Sequence, residues 1–300
     1  MRLLRLFLIA NAIFSLISGV IVLADSMRVA AWLGISHADL TLQVIGVCLC
    51  IFSVELIYQA TRNRMATWRA LLASLADFAW VVGSAILLLL FPGLFSQGGY
   101  FLVLSVACVV LVFAIAQLWA IGYAHHKEEG IYRHCLVIET SSPAELTWKA
   151  IENLGDIMRY VPSLKYSTIL GGKEPGIGAI RFCEDYDGRR WSEECIDFDS
   201  GHSFSMRFLS EAPDFPFPAK TMHGGWELAS SEKGSRVTIW WELTLKNQLL
   251  APFILPLLAF KVDRDFPAIV QRMSDAVLVA PSKKVLPFRY RQARLLKLAC

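Results

Sequence analysis

Four membrane-spanning helices followed by a water-soluble α+β domain, an antiparallel sheet closed by a long C-terminal helix, is the fold class this sequence predicts. Two observations carry it. Leu3–Leu23, Leu40–Ala60, Ala70–Phe91 and Tyr100–Gly122 are each long and apolar enough for a crossing, since roughly 20 residues at about 1.5 Å per residue span a ~30 Å hydrocarbon core. Beyond Tyr123 the pattern changes to short β-prone runs separated by turn residues and ends in a helical stretch. The expected parts are a bundle over 1–124, a globular domain over 125–280 and a basic tail over 281–300. A hydrophobic content of 55% and a mean hydropathy of +0.47 are too high for an ordinary soluble chain.

The first stretch follows Arg2 and Arg5, as the apolar run of a secretory leader would. It is longer than the roughly 7–15 residues of such a run and no small-x-small cleavage pattern follows, so it is expected to stay as a helix. Loop charges set the orientation. Arg2 and Arg5, then Arg62, Arg64 and Arg69 after the second span, then Lys127 and Arg133 after the fourth, all fall on one side. On the other side Pro92–Gly99 is uncharged, and Arg28 is balanced by Asp25 and Asp39. The positive-inside rule then predicts an integral protein of a bacterial inner membrane with both termini cytoplasmic.

Seven cysteines without CxxC or Cys/His ligand spacing argue against a disulfide framework and a zinc site, so no metal is expected. A net charge of +3 is too small to suggest nucleic acid. No cofactor is expected either: Gly171-Gly172 reads as a turn, because no Lys-Ser/Thr opens a helix after it.

Residues that cost free energy in lipid are the functional pointers of the bundle. Asn11, Glu55, Asp77 and Gln117 lie six to nine residues in from the Arg-rich ends of their spans, roughly 8–13 Å deep at ~1.5 Å per residue. One intramembrane polar layer is expected, with Glu55 and Asp77 turned to the bundle interior. Two carboxyls at one depth suit a shared proton or a cation path; the alternative is hydrogen-bonding glue that sets helix register. Trp32, Trp68, Trp80 and Trp119 read as interface anchors. Asn11–Gly19, Trp32-Leu33-Gly34 and Asp77–Gly83 together resemble a bacterial family of four-helix membrane modules of unknown function, a likeness that implies no activity.

In the second half, Ile131–Thr140 alternates as a strand. Ser142-Pro143-Ala144-Glu145 reads as a capped helix start with Pro in the first turn, and Trp148, Ile151 and Leu154 give that helix one apolar face. Leu164–Leu170, Gly178–Asp185, Arg190–Phe198, His202–Leu209, His223–Ser230 and Ser235–Leu245 continue as strands, with Asp187-Gly188 a hairpin turn. The Pro-rich Ala212–Ala219 cannot be a central strand. Leu255–Val279 is expected to be a long helix, kinked at Pro267.

This order resembles the START-like helix-grip family, in its SRPBCC or polyketide cyclase/dehydrase-like branch. The residues that carry the likeness are Ser142-Pro143-Ala144-Glu145 with Trp148, Tyr160–Leu164, Gly176–Arg181, Asp187-Gly188 leading to Glu193, and Gly225–Leu228 with Ser235–Thr238. The resemblance covers about 131–279 and implies a sheet curled on the long helix around an apolar cavity for a lipid, sterol or polyketide.

Trp148, Trp191, Phe204, Met206 and Trp226 are the ligand-binding candidates, supplying large apolar surface in a domain of this size; the alternative is that they are simply core. Arg181, Glu193 and His223 are the polar candidates, and Glu193 shares a strand face with Trp191. A carboxyl beside an indole in a cavity suits an acid or base, which makes Glu193 and Arg181 the catalytic candidates; a solvated ion pair is the alternative. His223, beside Gly224-Gly225, reads as a loop residue. Leu249–Phe260 reads as a lid, a membrane patch or a buried helix entry. The basic, apolar tail Ser282–Cys300 reads as an interfacial amphipathic segment. Three functions remain open: a membrane-anchored binder of a hydrophobic small molecule, a membrane-tethered cyclase or dehydratase, and a small transporter using Glu55 and Asp77.

Overall fold

The computed structural model describes residues 1–35, 38–275 and 293–297. Two compact units make up the chain, one of Met1–Ala124 with Pro252–Leu257, the other of His125–Ala251 with Leu258–Cys300.

The first unit is helical: α1 (Arg2–Ala24), α2 (Ser26–Leu33), α3 (Asp39–Thr61), α4 (Thr67–Leu90) and α5 (Gln97–Ala124). All but α2 are long and apolar enough to cross a membrane. Helix α2 falls where the sequence suggests only a loop. The Asp25 side chain accepts from Arg28 N at its start, and Gly34, at φ +79°, ends it in the left-handed region that glycine adopts without strain. Helices α1 and α3 meet through glycine: a Cβ on Gly19 would lie 2.9 Å from both Gly46 O and Cys50 Sγ. Burial is inverted relative to a water-soluble bundle. Asn11, Ser15, Ser53, Gln59, Ser74, Asp77 and Gln117 are buried, whereas Leu6, Ile13, Ile17, Val44, Ile51, Val54 and Val112 are exposed.

The second unit is an antiparallel sheet with helices packed against it. Its elements are β1 (His126–Glu128), β2 (Ile131–Thr140), α6 (Ala144–Ile151), a 3-10 segment (Leu154–Arg159), β3 (Leu164–Ile169), β4 (Ile180–Asp185), β5 (Arg190–Asp199), β6 (Ser203–Phe208), β7 (Ala219–Ser231), β8 (Gly234–Leu245), α7 (Ala251–Ser274, apart from its Pro252–Leu257 stretch, which is grouped with the first unit) and β9 (Arg294–Lys297). The strand order is β1-β2-β8-β7-β6-β5-β4-β3, with β9 also paired to β2. The core joins Leu136 and Ile138, Trp148 and Ile151, Cys195, Phe204 and Met206, Trp226 and Leu228, and Val237 and Ile239 to Ile269, Val270 and Met273 of α7.

Several expectations change. Ser142 does not cap α6: Pro143 is the cap residue and makes no side-chain bond, while Ser142 Oγ donates to Ser274 O at the end of α7. Helix α7 begins at Ala251 and is assigned without a break through Pro256 and Pro267. Pro252 stands in its first turn, where a missing N–H costs nothing, so Leu249–Phe260 is mostly the start of this helix; the expected end at Val279 lies outside the described residues. Arg294–Lys297, read as interfacial tail, is instead strand β9 on the edge of β2, and the rest of the expected tail lies outside the described residues. Cys135 is disulfide-bonded, against the expectation drawn from cysteine spacing, which detects only local pairs.

Candidate ligand site

The alternation of β5 decides the site. Trp191, Glu193 and Cys195 share one face of that strand, and Cys195 belongs to the core. In register, Glu193 stands opposite Arg181 on β4 and opposite Phe208 on β6, and Trp191 stands opposite Cys183. Glu193 is therefore an inward residue, 4% exposed, and Arg181 is 6% exposed.

Each carboxylate oxygen of Glu193 accepts a hydrogen bond. Arg181 Nη2 donates to Oε2, and Trp191 Nε1 donates to Oε1 at 2.7 Å. Arg181 Nη1 also donates to Leu154 O at 3.4 Å, which ties the pair to the 3-10 segment after α6. Burial opposes the guanidinium charge of Arg181, but the Glu193 carboxylate beside it holds the group above its ordinary pKa. Next to the pair, burial and then the Glu193 charge push the Cys183 thiol up to about 12. Arg181 Nε and Trp148 Nε1 are buried and have no hydrogen-bond partner among the described residues.

Aromatic rings continue this face in both directions. Phe204 stacks on Trp226 at 6.4 Å, Trp226 meets Phe266 of α7 at 5.9 Å, and Phe266 meets Trp241 at 4.7 Å. Trp148 lies 6.0 Å from Phe198. Toward the other end the Pro-rich loop between β6 and β7 folds back, so that Phe217 packs edge-on to Trp191 at 5.4 Å and Phe215 and Phe217 both pack on Phe208. Phe208, Phe215, Phe217 and Phe266 were not among the sequence candidates. For Phe215 and Phe217 a signal was present in Phe215-Pro216-Phe217-Pro218, whose prolines forbid a central strand and whose two large rings favour burial.

His223 is not a loop residue. It lies within β7, opposite Glu242 of β8 and Arg207 of β6, and by alternation on the face away from Trp226. Trp240 is on that outer face too, with its indole N–H donating to Glu227 and its ring over Gly225, where no side chain fits. A second inward polar contact joins the long helix to the sheet, His134 Nε2 lying 2.7 Å from Asp263 Oδ1. His134 neighbours His125 at 5.6 Å between rings. Burial first, and then the His134 charge, lower His125 to about 3.

In the helical unit three of the four layer residues meet. Asn11 Nδ2 and Gln117 Nε2 both donate to Asp77 Oδ2 at 2.8 Å, joining α1 and α5 to α4. Ser15 Oγ donates to Asn11 Oδ1, and Gln117 Nε2 also donates to Phe113 O. Glu55 is placed elsewhere. Its Oε1 accepts from Arg69 and from Gln59, because a carboxylate near the end of its helix can reach a guanidinium. Glu55 and Asp77 thus have separate partners: the shared-proton reading has no carboxyl pair behind it, the expected layer holds only Asn11, Asp77 and Gln117, and their bonds are those of the hydrogen-bonding alternative.

Among known proteins, the family described as polyketide cyclase / dehydrase and lipid transport matches residues 136–277. Among solved structures, the crystal structure of Ara h 8.0201 is similar at 15% identity and a TM-score of 0.39, over 47% of this chain and 95% of that one. No match was found among curated proteins. The C-terminal half therefore resembles the SRPBCC family, and four apolar helices precede it.

Proposed function

We propose that the protein is a membrane-anchored binder of a hydrophobic small molecule, a lipid or polyketide-like compound taken up by the C-terminal domain at the cytoplasmic leaflet. The observation that carries this is the inward apolar face, rich in aromatic rings, of a domain matched by a family described as including lipid transport: Trp148, Phe204, Met206 and Trp226 in one core with residues of α7, and Trp191 packed edge-on to Phe217. Such surface, with a few placed polar groups, is what an apolar ligand site requires. Anchoring is supported by the inverted burial of the helical unit, where Leu, Ile and Val face outward at full helix length. The predicted membrane is the bacterial inner membrane, with both termini cytoplasmic.

The cyclase or dehydratase alternative draws on Glu193 and Arg181. A general base needs an oxygen within reach of a substrate proton, and both Glu193 oxygens already face donors. Binding is the function this geometry favours. The test is native mass spectrometry of the purified full chain with extraction of bound lipid. Trp191→Ala is expected to lower retention of the co-purifying apolar compound about tenfold or more, and a chain that carries no apolar compound under these conditions would remove the proposal.

A further inference from the structure

Five arginines gather at one end of the helical unit, and two of them share a single ring. In Met1–Ala10 and Glu55–Ala70 together, Arg2, Arg5, Arg62, Arg64 and Arg69 face one acid, Glu55, and no lysine occurs there. Arg5 is built into the scaffold, its Nη1 donating to Ala60 O at 2.8 Å and its Nη2 to Arg62 O at 2.7 Å, which holds the last turn of α3 and the start of the α3–α4 loop. Tyr58 then carries two guanidiniums, those of Arg62 and Arg69, each 5.1 Å from the ring centroid. Two cations held on one phenol ring repel each other, and of the two only Arg69 forms an ion pair with Glu55. Arg62 and Arg64 are exposed and have no carboxylate partner among the described residues.

We infer that this end of the unit binds the phosphate of an anionic glycerophospholipid, held by Arg62, which lies over Tyr58, and by the exposed Arg64 two residues further along the same loop, with Arg5 as the group that positions the loop. The inference rests on the membrane insertion proposed above. Three properties select this occupant. A guanidinium fork matches a phosphate bidentately where an ammonium does not, and every cationic side chain here is an arginine. The site lies where α1, α3 and α4 begin or end, the depth at which a spanning helix meets headgroups. Tyr58, 43% exposed near the end of α3, and the half-buried Trp68 at the start of α4 supply aromatic residues at that interface.

The test uses the purified full chain in mixed micelles of phosphatidylglycerol and phosphatidylcholine, reading retained lipid by native mass spectrometry. Wild type should retain phosphatidylglycerol in preference, and Arg62→Gln with Arg64→Gln should reduce that preference roughly tenfold or more. The corresponding Lys variants, which keep charge and lose the fork, should fall between. Equal retention of the two lipids by wild type, or an unchanged preference in the Gln variant, would overturn the inference without any variant having to be more stable than wild type. Inorganic phosphate that displaces phosphatidylglycerol and raises the melting temperature equally without lipid would assign the site to free phosphate instead. Alkaline extraction separates the two failures: a chain released from membranes refutes insertion, whereas a chain that stays and shows no lipid preference refutes only the headgroup site.

Discussion

Glu193 shows how a contact changes the meaning of a substitution. As an isolated carboxylate in a cavity it would tolerate its amide; paired with buried Arg181 and with Trp191 Nε1, it does not. Removing one member of a buried ion pair leaves the other charge uncompensated, at a cost of about 3–5 kcal/mol. Glu193→Gln is therefore expected to lower the unfolding free energy of the C-terminal domain by that order, and the double variant Arg181→Met with Glu193→Gln to recover part of it. Urea unfolding of wild type, the two single variants Glu193→Gln and Arg181→Met, and the double variant measures this, and a fully additive double variant would show that the two side chains do not interact. His125 gives a pH dependence of known sign. Its folded value, about 3, lies below the ordinary 6.5, so the unfolded chain binds this proton first. The stabilisation is complete above about 6.5 and is lost as pH falls from there toward about 3. Thermal melts from pH 7 to pH 4 should show the loss, and His125→Gln should flatten it.

Among the elements, α4 is the hub of the helical unit because Asp77 accepts from both α1 and α5. Asp77→Asn retains an oxygen acceptor for both amides and should be mild. Asp77→Leu leaves the buried Asn11 amide without this acceptor and Gln117 with only its bond to Phe113 O, which costs about 1–3 kcal/mol. Melting temperatures of the detergent-solubilised chains separate the two substitutions, and equal losses would refute the hub. Helix and strand existence was legible in the sequence, since period and length are local properties: α1, α3, α4, α5 and the strands from β2 to β8 begin and end within a few residues of where apolar runs and turn residues place them. The small elements were not. Helix α2 depends on an Asp25 cap within a loop too short to show a period, and β1 and β9 exist only because the edge of β2 offers them unpaired backbone groups. Ser142 illustrates the same limit. Its local pattern is that of a cap, and its partner lies 132 residues away.

For the whole molecule, the orientation proposed from loop charge makes a direct prediction. Gly93 and Asn63 are both exposed, and no atom lies within 4 Å of a Cβ built on Gly93. An impermeant maleimide applied to intact cells should label Gly93→Cys and should leave Asn63→Cys unlabelled until the cells are opened; the opposite pattern would invert the topology. The division into an apolar helical part and an α+β part, and the candidate aromatics of the second, follow from composition and period alone, because hydropathy over 20 residues and alternation over eight are written along the chain. Partners are not written there. That Asp77 bonds to Asn11 and Gln117 while Glu55 turns to Arg69, that Glu193 faces Arg181 with an indole N–H on its other oxygen, and that Phe217 covers Trp191, all depend on strand register and helix rotation. Those are set by packing among residues far apart in sequence: a shift of one residue would turn Glu193 to the other face of its strand and swing Asp77 or Glu55 by about 100° around its helix.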